Sequence, residues 1–290
     1  MNMMRLGVNS FLFTSPFATS DASLFAKVAK MGFEVFEMAV EEPSLIDSAQ
    51  AKRHLEENGL KPVVCAVVGP DRDLSSEGRV IFQAAHEYLR FSIQFASEID
   101  AKVVCGPFHS AVGFTQLMTE KERAKVLERV TLRLRALALM ADDLGVRLAI
   151  EPLNRFENCL INTVDQALEL IRMVGSPALG IHLDTFHMNI EEKDLPKAIL
   201  AAGSRLYYFH ACENDRGIPG TGHIPWKDIA LALQEIEFSG DVVIESFTDQ
   251  VQSIARSVSV WRKLAPSSEV LAENGRRFLE KELFMSGTGT

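Results

Sequence analysis

The chain alternates short apolar runs with longer segments of helical spacing. Eight runs rich in Val, Ile and Leu recur: RLGVNS (5–10), FEVFEM (33–38), KPVVCAVV (61–68), AKVVCGP (101–107), VRLAIEP (146–152), ALGIHLD (178–184), RLYYFHA (205–211) and DVVIES (241–246). Most are apolar throughout and lack the polar alternation of a sheet with one wet face, which is the pattern of parallel strands covered on both sides. Between them, ASLFAKVAKM (22–31), ERAKVLERVTLRLRALALMADDL (122–144) and TVDQALELIRMV (163–174) repeat apolar residues at i, i+3, i+4 and i+7, the spacing of one helix face.

The ends of these segments are marked. Thr119 with Glu122, and Thr163 with Gln166, have the spacing of capping boxes. Gly32, Gly59, Gly145, Gly175, Gly203 and Gly240 each stand just before a strand, where a helix C-cap wants a left-handed residue. Alternation of this kind without a break in composition predicts an α/β fold: a (β/α)₈ barrel in a single domain over 1–285, with SGTGT at 286–290 a disordered tail. A doubly wound open sheet stays as the alternative, although the first βα turn, NSFLFTSPF, has neither GxGxxG nor a Walker lysine.

Composition and charge narrow the function classes. With 47% hydrophobic and 24% charged residues the 290-residue chain has material for a full core, and its net charge of -9 repels phosphate backbones and anionic lipid surfaces. Nucleic acid and membranes are therefore excluded as expected partners. Cys65, Cys105, Cys159 and Cys212 form no CxxC pair, so neither a zinc ribbon nor a disulfide framework is expected. With no signal-type leader at MNMMRLGVNSFLF, the expectation is a soluble cytoplasmic protein with reduced thiols.

In a barrel the chemistry lies at the C-terminal ends of the strands. The last four runs end in Glu151, Asp184, His210 and Glu245. Three carboxylates meeting at one mouth repel one another unless some take up protons or a cation joins them. The set is hard and mostly anionic, suited to Mn²⁺, Co²⁺ or Mg²⁺. Cys212 is expected to be a small buried thiol and not a ligand. Glu157, His187 and Arg216 fall on βα loops at the same face, where each taken alone reads equally well as an ordinary loop residue. His182 points the same way as Asp184 one layer deeper, so support or core packing is expected of it.

EPLNRFEN (151–158), HLDTFHMNIEE (182–192), YFHACENDRGIPGTGHIPW (208–226) and VVIESF (242–247) resemble the ketose 3-epimerases, the D-tagatose, D-allulose (psicose) and L-ribulose 3-epimerases of the xylose isomerase-like barrel superfamily. The resemblance runs end to end and is most specific over 151–247. It implies that Glu151, Asp184, His210 and Glu245 hold a divalent metal, Mn²⁺ in the first place, with no nucleotide or redox cofactor. It implies that Glu151 and Glu245 are also the catalytic acid and base, that Glu157, His187 and Arg216 bind substrate hydroxyls, and that the protein is a homodimer or homotetramer.

The chemistry is self-consistent, because inverting C3 beside a ketone needs one group to take a proton from one face and a second to return one on the other. The sugars in view are the pairs D-allulose/D-fructose, D-tagatose/D-sorbose and L-ribulose/L-xylulose. Phe11, Phe13, Glu37, Phe108 and Phe247 are candidates for the far side of the pocket, with His109 and the departing segment VVGPDRDLSSEG (67–78) beside them. An aldose–ketose isomerase of the same superfamily is the second reading, and a barrel that binds metal and sugar without turnover the third.

Overall fold

The structure is a computed structural model whose described residues are 4–284. Eight parallel strands close into a barrel in chain order: β1 (Arg5–Asn9), β2 (Val35–Ala39), β3 (Lys61–Cys65), β4 (Val103–Gly106), β5 (Arg147–Ile150), β6 (Leu179–Asp184), β7 (Leu206–His210) and β8 (Asp241–Ile244), with β8 pairing back to β1. Each strand lies within one of the eight apolar runs except β2, which starts later than its run and ends one residue beyond it. Closure removes both sheet edges, so the open-sheet alternative falls.

The outer layer consists of α1 (Ala22–Lys30), α2 (Ser48–Asn58), α3 (Arg79–Glu98), α4 (Glu120–Asp143), α5 (Val164–Val174), the pair α6 (Thr185–Glu191) and α7 (Leu195–Ala202), α8 (Trp226–Glu235), α9 (Gln252–Ser257) and α10 (Ser268–Leu279). Both capping boxes form, Thr119 with Glu122 opening α4 and Thr163 with Gln166 opening α5. Gly59 and Gly175 close α2 and α5 in the left-handed conformation. Gly240 departs from its expected role. α8 already ends at Glu235, and Glu237 takes the positive φ of 54°. Gly240 is there for space, since a Cβ on it would lie 2.6 Å from the Phe238 ring and 3.0 Å from the Tyr207 carbonyl. The expected tail at 286–290 lies outside the described residues.

Two apolar clusters follow from the strand alternation. Outward-facing residues such as Val8, Phe36, Val64, Val104, Ile150, Ile181, Phe209 and Ile244 pack against the helices. There Phe36 meets Phe25 and Phe17 edge-on, at 5.1 and 5.7 Å between centroids, an arrangement worth about 0.5–1.5 kcal/mol per pair beyond burial. Inward-facing Val35, Ala39, Val63, Cys65, Val103, Cys105, Ala149, Tyr208 and Val243 fill the barrel itself. Space inside is tight: a Cβ on Gly7 of β1 would sit 2.7 Å from that of Val35 and 2.8 Å from the Val243 side chain.

The 67–78 segment is anchored and not loose. Asp73 accepts from the Ser75 and Ala111 backbone N–H groups at 2.7 and 3.1 Å. From α4, Arg129 and Arg133 donate to the carbonyls of Ser75, Leu74 and Ser76. Among the described residues no helix is long and apolar enough to cross a membrane, and all four cysteines are free.

Candidate metal centre and active site

The alternation that fills the barrel also aims its last inward side chains at the mouth. Asp184 and His210 end β6 and β7, while Glu151 and Glu245 directly follow β5 and β8. One ligand atom from each of the four lies within 4.8 Å of the others. All are buried, from 0% exposure at His210 to 7% at Glu245. Glu151 Oε1 and His210 Nδ1 have no hydrogen-bond partner. Two orphaned acceptors beside two further carboxylates form a donor set that a hard divalent cation fits.

Asp184 and His210 are held from behind. Asp184 caps α6, its Oδ1 accepting from Phe186 N at 2.7 Å and His187 N at 3.4 Å, which leaves Oδ2 for the centre. His210 Nε2 lies 2.8 Å from Glu37 Oε2, which orients the ring with Nε2–H donating and Nδ1 turned towards Asp184 and Glu245. Glu37 also accepts from Tyr208 Oη at 2.7 Å and from Asn9 Nδ2 at 2.7 Å. Glu37, in the middle of β2 and fully buried, thus supports the ligand histidine from the barrel interior.

Arg216 is the counter-charge. Its Nη1 lies 2.6 Å from Asp184 Oδ2 and 3.0 Å from Glu245 Oε2, with the guanidinium 4.3 Å from the Phe186 ring and 5.1 Å from that of Phe247. Its backbone is left-handed, with φ 62°, a strain that the loop sustains by bonding Arg216 N to the Glu213 carbonyl and Ser246 Oγ to the Arg216 carbonyl. Glu213, fully buried, pins the same loop by accepting from Gly220 N, Ile224 N and Trp226 Nε1 at 2.8, 3.2 and 3.1 Å.

His187 faces the centre from α6. Asn154 N–H donates to its Nδ1 at 3.1 Å, and its Nε2 lies 3.8 Å from Glu151 Oε1 and 3.2 Å from Arg216 Nη2, which donates. Burial and the nearby Arg216 charge lower its basicity, with Asp184 opposing. Asn154 Nδ2 donates to Glu157 Oε1 at 2.8 Å and so joins the loop acid to the same cluster.

The carboxylates are driven apart in acidity. Burial, then the charge of Glu245, pushes Glu151 well above the usual range. Burial would raise Glu245 and Asp184 too, but His210 and Arg216 hold Glu245 below, and Arg216 holds Asp184 well below. For His210, burial is overcome by Glu37 and Glu245, and its basicity rises.

The structure thus brings Glu151, Asp184, His210, Glu245, His187, Arg216 and, through Asn154, Glu157 into one cluster. His182 lies one layer down with Nδ1 3.6 Å from Glu151 Oε2. Cys212 is buried with Sγ 2.9 Å from the Glu245 carbonyl. Phe11 and Phe247 pair at 6.1 Å on the barrel-interior side. Phe13 and Phe108 do not join them. Both belong to the larger cluster that packs with the helices, and Phe13 lies beneath Lys27 of α1. Asn9, Asn154, Tyr208 and Glu213 are additional residues that strand-end reading passes over. Asn154 and Glu213 lie inside the motifs that carry the family resemblance, whereas nothing local marks Asn9 or Tyr208.

A family model described as the xylose isomerase-like TIM barrel matches residues 25–281. A probable ketose 3-epimerase of Synechocystis sp. is 34% identical over 278 residues, 96% of each chain. A D-psicose 3-epimerase of Agrobacterium fabrum is 33% identical, covering 90% of this chain and 92% of its own. The crystal structure of a D-allulose 3-epimerase from Methylomonas sp. superposes with a TM-score of 0.90 at 29% identity, over 98% of this chain and 99% of its own.

Proposed function

We propose, for a chain that belongs to the ketose 3-epimerases of the xylose isomerase-like TIM barrel family and is thereby an isomerase, that its reaction is inversion of C3 in a small free ketose. D-psicose and L-ribulose, which name its relatives, support this substrate class. Glu151, Asp184, His210 and Glu245 would hold a divalent cation, Mn²⁺ for preference over Co²⁺ or Mg²⁺. When bound, the cation supplies Lewis-acid stabilisation of the charge that develops on O2 and O3.

The observation that carries this reading is the pair of carboxylates reaching one centre from β5 and β8, with opposite displacements in acidity. One enters ionised and removes the C3 proton. The other enters protonated and delivers a proton to the opposite face, after which the pair is poised for the reverse direction. His187, held by Asn154 and Arg216, positions a substrate oxygen at the same centre. Glu157 accepts from a hydroxyl with the oxygen that Asn154 leaves free. Arg216, clamped between Phe186 and Phe247, holds the same end of the sugar.

The test is incubation of the Mn²⁺-loaded protein with D-fructose, D-tagatose and L-ribulose in D₂O, with NMR of the products. Deuterium at C3 with inverted configuration is expected. Label at C1 or C2 with an aldose product would identify the isomerase instead, and no exchange would leave a binding protein.

A further inference from the structure

The loop between β7 and α8 carries Arg216 to the centre, and it is wound on a carboxylate that belongs to neither the ligand set nor the substrate contacts. Glu213 is fully buried. Its Oε1 accepts from Asn214 N and Ile224 N at 3.1 and 3.2 Å, and its Oε2 from Gly220 N and Trp226 Nε1 at 2.8 and 3.1 Å. All four donors are neutral N–H groups, three of them backbone of the loop itself. The chain closes directly on the carboxylate, since a Cβ on Gly222 would collide with Glu213 Oε1 and Asn214 Oδ1. Two further ties of the loop, Arg262 with Asp215 and His223 with Asn189, are exposed, where water competes for the same groups. Arg216 depends most on the buried hold. It carries a Cβ at φ 62°, its N–H donates to the Glu213 carbonyl at 3.0 Å, and its side chain must still reach Asp184 and Glu245. A backbone free to relax into a common conformation would swing the guanidinium away from the centre.

We propose that Glu213 is a positioning residue for C3 inversion: its carboxylate fixes Arg216 at the centre before the sugar arrives, and it acts on the reaction through Arg216 alone. This role rests on the epimerase reading, in which Arg216 holds one end of the ketose. The physical reason is preorganisation, because an arginine already ordered by the protein gives up little freedom when substrate binds. The carboxylate is specific for the task. Each of its oxygens takes two donors, so a Gln amide, whichever way it turns, sets its NH₂ against two N–H groups and releases that side of the loop.

The test is a double-mutant cycle on the full-length, Mn²⁺-loaded protein, reading kcat and KM for C3 inversion in the wild type, Glu213→Gln, Arg216→Lys and the pair combined. Glu213→Gln alone should lower kcat/KM at least tenfold, mainly through KM. Beside Arg216→Lys, where the planar contacts are already lost, it should cost less than twofold more. Phenylglyoxal supplies a readout that does not need turnover. Mapped by peptide mass against Arg155, whose side chain is 62% exposed, modification of Arg216 should be at least tenfold faster in Glu213→Gln than in the wild type. Glu213→Asp, which keeps the charge but withdraws the oxygens by one methylene, decides the matter if Glu213→Gln does not fold: kcat/KM should fall at least threefold, and again not beside Arg216→Lys. Wild-type kcat/KM in the variant that folds, an equal loss in both backgrounds, or unchanged reactivity of Arg216 would each overturn the role. A wild type that inverts no C3 would instead overturn the epimerase reading, and the phenylglyoxal comparison would still decide whether Glu213 places Arg216.

Discussion

Replacing Glu37 with Gln tests how the metal centre is built, because the change preserves shape and removes one acceptor. Glu37 is fully buried and accepts three hydrogen bonds, from Asn9 Nδ2 and Tyr208 Oη at 2.7 Å each and from His210 Nε2 at 2.8 Å. Asn9 cannot turn over to help, since its Oδ1 accepts from Phe11 N at 2.8 Å. If the new amide NH₂ faces His210, the ring must move its proton to Nδ1, the atom 3.5 Å from Asp184 and 3.6 Å from Glu245. If it faces Asn9, two donors collide and His210 still exchanges a charged acceptor for a neutral one. Either arrangement strands or weakens a buried hydrogen bond at about 1–3 kcal/mol. At about 1.4 kcal/mol per tenfold, that is a loss of roughly 10- to 100-fold in metal affinity, the range seen when the support of a ligand histidine is removed. Titration calorimetry of metal-free protein with Mn²⁺ reads it directly, and saturating Mn²⁺ should restore most of the turnover. Unchanged Mn²⁺ affinity in Glu37→Gln would refute the assignment of His210 Nδ1 as a ligand held by Glu37.

Glu151→Gln and Glu245→Gln should each lower kcat for C3 inversion by roughly 10²–10⁴-fold, more than any single change at Glu157, His187 or Arg216. A Glu245→Gln variant that loses metal yet keeps turnover, measured by the same deuterium exchange, would contradict that ranking. Arg216→Lys keeps the charge but loses the planar contact with Phe186 and Phe247 and the reach to both Asp184 and Glu245, so kcat/KM should fall by about tenfold or more. A substrate-saturation series would show no change if the charge alone sufficed. His109, held by burial to a pKa of about 4 despite the nearby Asn158 amide, stays neutral in the fold while the unfolded chain protonates near 6.5. The unfolded state then binds the extra proton, so stability is full above pH 6.5 and falls by roughly 3 kcal/mol towards pH 4. Urea midpoints across that window should fall less in His109→Leu, and an equal fall in both proteins would remove His109 as a source.

Particular residues show where sequence reading stops. The eight strands, the two capping boxes and the set Glu151, Asp184, His210 and Glu245 could be found from periodicity, because a strand's last inward side chain is fixed by counting in twos. Phe13 and Phe108 could not be placed, since the chain turns after the strand and the count no longer applies. Glu37 and His210 are 173 residues apart, and their hydrogen bond exists only because β2 and β7 face each other across a closed barrel. The same closure sets Cys105 of β4 beside His182 of β6, two residues that no spacing relates.

By itself, then, the sequence determined the elements, the barrel they form and the residues at its mouth, because helix and strand periods are local consequences of backbone geometry and burial. The tertiary structure alone decided which nitrogen of His210 meets Glu37, which groups surround His187, and that the acidities of Glu151 and Glu245 are driven apart. Those depend on hydrogen bonds and charges between residues distant in the chain, brought within a few ångströms only when the barrel closes.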